Sequence, residues 1–217
     1  MEKLFNKINT NSDMETKDII STETITPLEA LGKLRNGNNR FIQNLSINRD
    51  YLEQVKVTAG GQKPFAAVLG CIDSRAPAEI IFDMGIGDIF NVRIAGNILN
   101  EDILGSLEFA TRIAGAKLVV ILGHTSCGAV KGALDKAKLG HLTGLVQKLE
   151  AAVTQVNSQF DDRPASDKID LIAERNVEMV CEELLNRSEV LAELNTAGAI
   201  KIVGAIYDVN TGKVRFK

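Results

Sequence analysis

The chain has 217 residues, enough for one domain with a full hydrophobic core, or a domain with an arm. Its apolar fraction of 45% and charged fraction of 24% are those of an ordinary globular protein, and a net charge of −3 with scattered basic residues gives no electrostatic case for nucleic acid. No apolar run approaches the ~18 residues of a membrane span, and the first twenty residues lack the apolar core of a signal peptide, so a cytoplasmic protein without a membrane partner is expected.

Residues 1–25 are polar and aperiodic, and are expected to form a flexible or arm-forming segment ahead of a single domain over 26–217. Thr26-Pro27-Leu28-Glu29 predicts a helix start: Thr26 as N-cap, Pro27 in the first helical position and Glu29 closing a capping box. Leu28, Leu31, Leu34, Phe41 and Ile42 supply its apolar stripe, and Gly60-Gly61 breaks the chain before the core begins. The continuous apolar run 65–70 reads as a buried strand with Cys71 at its C-terminal end, and 89–94 as a second strand. Residues 102–114 predict a helix with Ile103, Leu104, Leu107, Phe109 and Ala110 as its apolar positions. Residues 117–123 form a third strand that delivers His124. Helices follow over about 127–137, 141–156 and 166–194, the last broken near Asn186. Residues 199–207 are the last core strand, and Asn210-Thr211-Gly212 turns the chain into an edge strand over 213–216. This alternation predicts an α/β fold, a mostly parallel central sheet flanked by helices, with an N-terminal helical arm. Sites in such sheets gather beyond the carboxyl ends of the strands, where both Cys71 and His124 fall.

Two motifs carry the chemistry. Cys71-Ile72-Asp73-Ser74-Arg75 and His124-Thr125-Ser126-Cys127 supply two thiols and one imidazole, a ligand set that suits Zn²⁺. Three protein ligands leave a tetrahedral ion one open position, as in a catalytic rather than a structural site. Alone, a His at a strand end is more often a hydrogen-bonded structural residue, and a lone Cys is more often core. Their coincidence at strand ends, flanked by Gly123 and Gly128 that allow close backbone approach, favours a metal. The remaining thiol, Cys181, lies in a helical pattern and reads as a small buried hydrophobe. A redox pair of Cys71 and Cys127 is disfavoured, because the spacing is not Cys-x-x-Cys.

These motifs, with Gly87-Asp88-Ile89-Phe90-Asn91-Val92-Arg93-Ile94-Ala95-Gly96-Asn97, Ser106-Leu107-Glu108-Phe109-Ala110 and the glycines around His124 and Cys127, resemble the β-class carbonic anhydrases from about Thr26 to the C-terminus. The resemblance implies a zinc enzyme converting CO₂ to bicarbonate and a proton. Cys71, His124 and Cys127 would bind the ion, and zinc-bound hydroxide would attack CO₂. Asp73 would orient that hydroxide, Arg75 would fork onto the Asp73 carboxylate, and Asp73 would become a fourth ligand only in a closed state. Gln62 matches a glutamine that hydrogen-bonds substrate. Phe90, Ala95 and Phe109 match the walls of the CO₂ pocket, with Gly128 beside the ligands as a further substrate-binding position. The resemblance also implies a homodimer or higher homo-oligomer whose side chains serve a neighbouring zinc. One departure is Val68, where relatives closed by bicarbonate carry a Trp beside an Arg and a Tyr. Arg93 and Tyr207 remain, so the closed state is expected to be weakened. His141 is expected to be a solvated helix-start residue rather than a proton shuttle. Carbon disulfide hydrolysis on the same zinc residues is the alternative activity, and a non-catalytic zinc-stabilised binding protein is the alternative class.

Overall fold

A computed structural model describes residues 25–217. Residues 1–24, and with them nearly all of the expected arm segment, lie outside the described residues. Five strands form one sheet: β1 (Ala66–Gly70), β2 (Ile89–Arg93), β3 (Leu118–His124), β4 (Lys201–Tyr207) and β5 (Val214–Phe216). Their spatial order is β2-β1-β3-β4-β5, parallel except for β5, which pairs antiparallel with β4. β1 and β3 are buried along their whole length, which is why both read as unbroken apolar runs rather than alternating ones.

Alternate residues feed two cores. Ala66, Val68, Leu118, Val120 and Leu122 pack on one face under α1 (Pro27–Ile42) and α3 (Ala78–Ile81). Ala67, Leu69, Val119 and Ile121 pack on the other under α4 (Glu101–Glu108), α8 (Ala165–Arg187) and α9 (Glu189–Thr196). α1 starts as its sequence dictates: the Thr26 N–H donates to Glu29 Oε2 at 2.8 Å and the Glu29 N–H returns a bond to Thr26 Oγ1 at 3.2 Å. Among the described residues no helix is long and apolar enough to cross a membrane.

The elements depart from the sequence reading in several places. α2 (Tyr51–Thr58) was not foreseen: it is only eight residues long and its apolar side chains, Tyr51, Leu52 and Val55 among them, stay exposed within the chain; a local start signal is Asp50, whose side chain accepts from the Glu53 N–H at 2.9 Å. The helix expected over 141–156 is two, α6 (Gly140–Gln147) and α7 (Glu150–Gln159), separated at the fully buried Leu149. The long last helix does break near Asn186, at Ser188, whose hydroxyl caps α9 by accepting from the Leu191 N–H at 3.1 Å. Phe109 is 53% exposed and is not a core position. There α4 widens into a π-helical turn over Phe109–Ile113, which keeps Ala110 inside and turns the ring outward. α5 (Gly128–Leu134) completes the set.

A buried carboxylate fastens the N-terminal layer. Asp83, at the end of α3 and 4% exposed, accepts from Arg40 Nε on α1, from Arg49 Nη1 and from the Ile47 N–H. Burial alone would push its carboxyl up; the Arg49 and Arg40 guanidiniums and the Ile47 N–H outweigh that and hold it below its ordinary value. A depressed carboxylate stabilises the fold above its unfolded-state pKa and loses that contribution as pH falls through its folded-state value. Asp83→Asn is therefore expected to cost about 2–3 kcal/mol at pH 7, less than a fully buried broken pair because Arg40 stays partly in water. It should also flatten the acid side of the stability profile, read by urea unfolding from pH 7 to pH 3; a variant that keeps the wild-type acid slope would contradict this.

Candidate metal centre

In chain order β1, β2 and β3 step first to one side of β1 and then to the other, so the strand order reverses between β1 and β3. That is the topological switch point, where the connections leave the sheet in opposite directions and open a crevice at the carboxyl rim. Cys71 follows the last residue of β1 and His124 ends β3. Cys127 is the N-cap of α5, three residues on, after a loop in which Ser126 takes a positive φ of 55°. The result is three buried ligand atoms within 4.8 Å of one another.

The donors fit a tetrahedral ion. The Cys71 and Cys127 sulfurs are 4.0 Å apart, against ~3.8 Å for two sulfurs at zinc–sulfur distance in a tetrahedron. His124 is 1% exposed; its Nδ1 faces the Thr125 carbonyl oxygen at 2.9 Å, and its Nε2 is buried with no hydrogen-bond partner among the described residues. A backbone carbonyl that fixes the proton on Nδ1 leaves the Nε2 lone pair for a metal, the arrangement of a ligating histidine. The Gly96 N–H donates to Cys71 Sγ at 3.3 Å. Without an ion the thiols divide the charge between them: the bond from Cys127 pulls Cys71 down, and the same bond, with burial, pushes Cys127 up. Burial would lower His124, but the Cys71 sulfur and the nearby Asp73 carboxylate outweigh it and hold the imidazole above its ordinary value. A divalent cation removes this conflict by favouring both thiolates and neutral imidazole.

Asp73 stands at the mouth, with Oδ2 3.9 Å from His124 Nε2. Arg75 forks onto it, Nε to Oδ1 at 2.9 Å and Nη2 to Oδ2 at 2.8 Å, and the Arg75 N–H adds a third bond to Oδ1 at 2.9 Å. That fork holds the Asp73 carboxyl well below the usual carboxylate range, against the push of partial burial. Arg93, at the end of β2, donates to the Cys71 carbonyl at 2.9 Å and the Asp73 carbonyl at 2.6 Å, and so pins the loop carrying both side chains. The sequence reading placed Arg93 only in an incomplete anion set; its basic character at a strand end was the one available signal. Asp170 on α8 was missed altogether: it accepts from the Ser126 N–H at 2.7 Å and so holds the turn between the other two ligands.

The expected substrate positions divide. Ala95 lies one residue from Gly96, in the turn that touches Cys71, and Gly128 opens α5 with open space over its Cα. Gln62 is exposed before β1, at the opposite end of that five-residue strand from Cys71. Phe90 and Phe109 meet edge to face, ring centroids 6.3 Å apart, and line an open cleft of about 670 Å³ along β2 and α4 that contains none of the three ligands. Within one chain, then, Gln62, Phe90 and Phe109 are not brought to the metal ligands. Gly123 is needed for packing rather than for a ligand, since a Cβ there would come within 2.7 Å of Val177 on α8. Val68 is wholly buried in the first core with Tyr207. His141 is exposed in the first turn of α6. Cys181 is only partly buried, packed against the second core, and burial pushes its thiol up to about 11.

Fold and site together define an α/β protein with a candidate (Cys)₂His metal centre at the switch point of its sheet. The carbonic anhydrase family model matches residues 66–214. The chain is 36% identical over 196 residues to carbonic anhydrase 2 of Mycobacterium tuberculosis, covering 86% of this chain and 91% of that protein. It is 34% identical over 193 residues to the carbonic anhydrase of Mycolicibacterium smegmatis, covering 88% and 93%. Among solved structures, the β-carbonic anhydrase CafA of Aspergillus fumigatus superposes with a TM-score of 0.70 at 30% identity, covering 88% and 89%. A tetrameric β-carbonic anhydrase of Sordaria macrospora gives 0.70 at 26% identity, covering 74% and 84%. The chain belongs to the β-carbonic anhydrase family.

If the three ligands hold the ion, the purified chain should carry about one zinc per polypeptide by elemental analysis. Cys71→Ser and His124→Ala should each weaken zinc affinity by roughly 100-fold or more, measured by chelator competition. Full zinc content with unchanged affinity in both variants would remove these residues from the centre.

Proposed function

We propose that this chain catalyses the reversible hydration of CO₂ to bicarbonate and a proton, with Cys71, His124 and Cys127 as the zinc ligands. The observation that carries the reading is the buried, partnerless His124 Nε2 facing two sulfurs, with an ionised carboxylate 3.9 Å away at the mouth. A zinc ion held there supplies the Lewis acidity that brings the pKa of water toward about 7. Two thiolates give the ion more charge than imidazoles would, so the surrounding residues must assist. Asp73 is kept ionised by Arg75 and is placed to accept a hydrogen bond from the attacking oxygen, fixing the lone pair that faces CO₂. Arg75 occupies both Asp73 oxygens, which opposes a swing of the carboxylate into the ligand set and supports an open site at neutral pH.

We propose further that the active form is a homodimer or higher assembly. Support comes from Phe109 and Ile113, 53% and 72% exposed beside the edge strand β2, and from α2, which buries none of its residues within the chain. On this reading Gln62, Phe90 and Phe109 serve the CO₂ pocket of a neighbouring protomer, which accounts for their distance from the ligands of their own chain. Ala95 and Gly128 serve it from within.

The decisive test is stopped-flow CO₂ hydration by the zinc-loaded protein, for wild type, Asp73→Asn and Arg75→Ala. Asp73→Asn should lower kcat/KM by about 10²–10³-fold and Arg75→Ala by about 10–100-fold, with zinc content unchanged. An unaltered rate in Asp73→Asn would remove Asp73 from the mechanism. No CO₂ hydration from a fully loaded enzyme, with hydrogen sulfide released from carbon disulfide, would replace the reaction. Sedimentation should give a dimer or larger species, and Phe109→Ala should lower activity without lowering zinc content if the ring lines a shared pocket.

A further inference from the structure

α8 reaches the metal centre through a side chain outside the ligand motifs. Asn176 is 5% exposed, and its Nδ2 donates to the Gly96 carbonyl oxygen at 3.0 Å. The same peptide-turn residue donates its N–H to Cys71 Sγ at 3.3 Å. Gly96 lies in the short turn Ala95–Asn97 with φ +70°, a conformation that favours glycine, and a Cβ there would come within 3.0 Å of Leu149 and 3.3 Å of Ala129. Side chains close in on the turn and the Asn97 N–H donates to the Ile94 carbonyl at 2.9 Å, so the bond at the Gly96 carbonyl completes the set that orients the Gly96 N–H. The carbonyl acceptor also fixes which end of the Asn176 amide faces the turn.

Asn176 gets this close because α8 lies unusually near the sheet. A Cβ on Gly123 would stand 2.7 Å from one methyl of the adjacent Val177, and a Cβ on Gly204 would stand 2.8 Å from the other. Two glycines on neighbouring strands thus seat the helix, and the next residue along delivers its amide to the turn.

We propose that Asn176 is a positioning residue of the metal centre: by holding the Gly96 carbonyl it aims the Gly96 N–H at the Cys71 sulfur and limits the charge that sulfur gives to the metal. The inference rests on the reading of Cys71, His124 and Cys127 as metal ligands. A hydrogen bond to a thiolate lowers the energy of its lone pair, so a metal-bound thiolate that loses the bond becomes a stronger donor. Partners of this kind beyond the ligands typically change metal affinity by about 10–100-fold.

The test uses the cobalt-substituted full chain, because sulfur-to-cobalt charge-transfer absorption in the near ultraviolet reports the sulfur lone pair directly. Asn176→Leu keeps approximate volume and removes the donor. Asn176→Asp keeps shape but turns an acceptor toward the carbonyl, and it carries the test should the leucine variant not fold. Val180→Ala, a buried cavity variant one turn along α8, controls for general destabilisation. Both Asn176 variants should shift the charge-transfer band to longer wavelength and change cobalt affinity by about 10-fold or more. Val180→Ala should lower thermal stability while leaving band and affinity at wild-type values. Wild-type band and affinity in a folded Asn176 variant overturn the inference, as does an equal shift in Val180→Ala. Failure of the wild-type chain to bind cobalt or zinc overturns the metal-centre reading itself.

Discussion

The pairing of β1 with β3 is the constraint on which the metal centre depends. Gly70 stands opposite Leu122, so Cys71 leaves the sheet level with Gly123, and His124 projects one residue beyond. Successive side chains in a strand face opposite ways, so a slip of one residue would turn His124 away from Cys71 and exchange the two cores. The register is enforced by burial on both faces: Val68 and Val120 must enter one core while Leu69 and Ile121 enter the other. The three candidate ligands are thus aligned by hydrophobic packing of the strands that carry them.

Around that alignment, three charged or polar side chains act on the backbone rather than on the metal. Arg93 holds the carbonyls of Cys71 and Asp73, Asp170 holds the N–H of Ser126, and Asn176 holds the carbonyl of Gly96. Each comes from an element other than the one it fixes, so the loops at the rim are tied to β2 and to α8. Arg75 is half exposed; it forks onto a carboxylate within its own loop and its Nη2 also reaches the Ser126 carbonyl oxygen at 3.5 Å. Neighbouring elements hold the inner site, whereas the Asp73–Arg75 pair at the mouth keeps Arg75 half exposed to water. The Arg75 fork places a cation in direct contact with that carboxylate and favours its ionised form.

Much of the fold was legible where burial left a pattern in the chain. β1 and β3 showed as unbroken apolar runs because both their faces are covered, and α1 showed through Thr26 and Glu29 because a capping box is written in four consecutive residues. α2 left a weaker trace, because eight residues carry too few repeats for a helical period and its apolar side chains, Leu52 and Val55 among them, are exposed within the chain. Leu149 was taken into a continuous helix since its pattern fitted one; its full burial is a property of the third core, which unites α5, α7 and α8 around the two cysteines. Phe109 fitted the helical spacing of α4, and only the π-turn there moved it outward.

The sequence by itself determined the chemistry: two thiols, one imidazole, and an acid and a guanidinium two residues apart, in strand-end motifs similar to those of one enzyme family. Those are properties of side-chain type and short spacing, which survive without coordinates. The tertiary structure decided which residues share the site. It joined Cys71 to His124 through strand register, brought Asn176 and Arg93 to backbone atoms 80 and 22 residues away, and left Gln62 at the far end of β1. The physical reason is that hydrogen bonds to peptide groups are indifferent to the identity of the residue they hold. Their partners leave no mark in the local sequence and are fixed only when helix and sheet pack together.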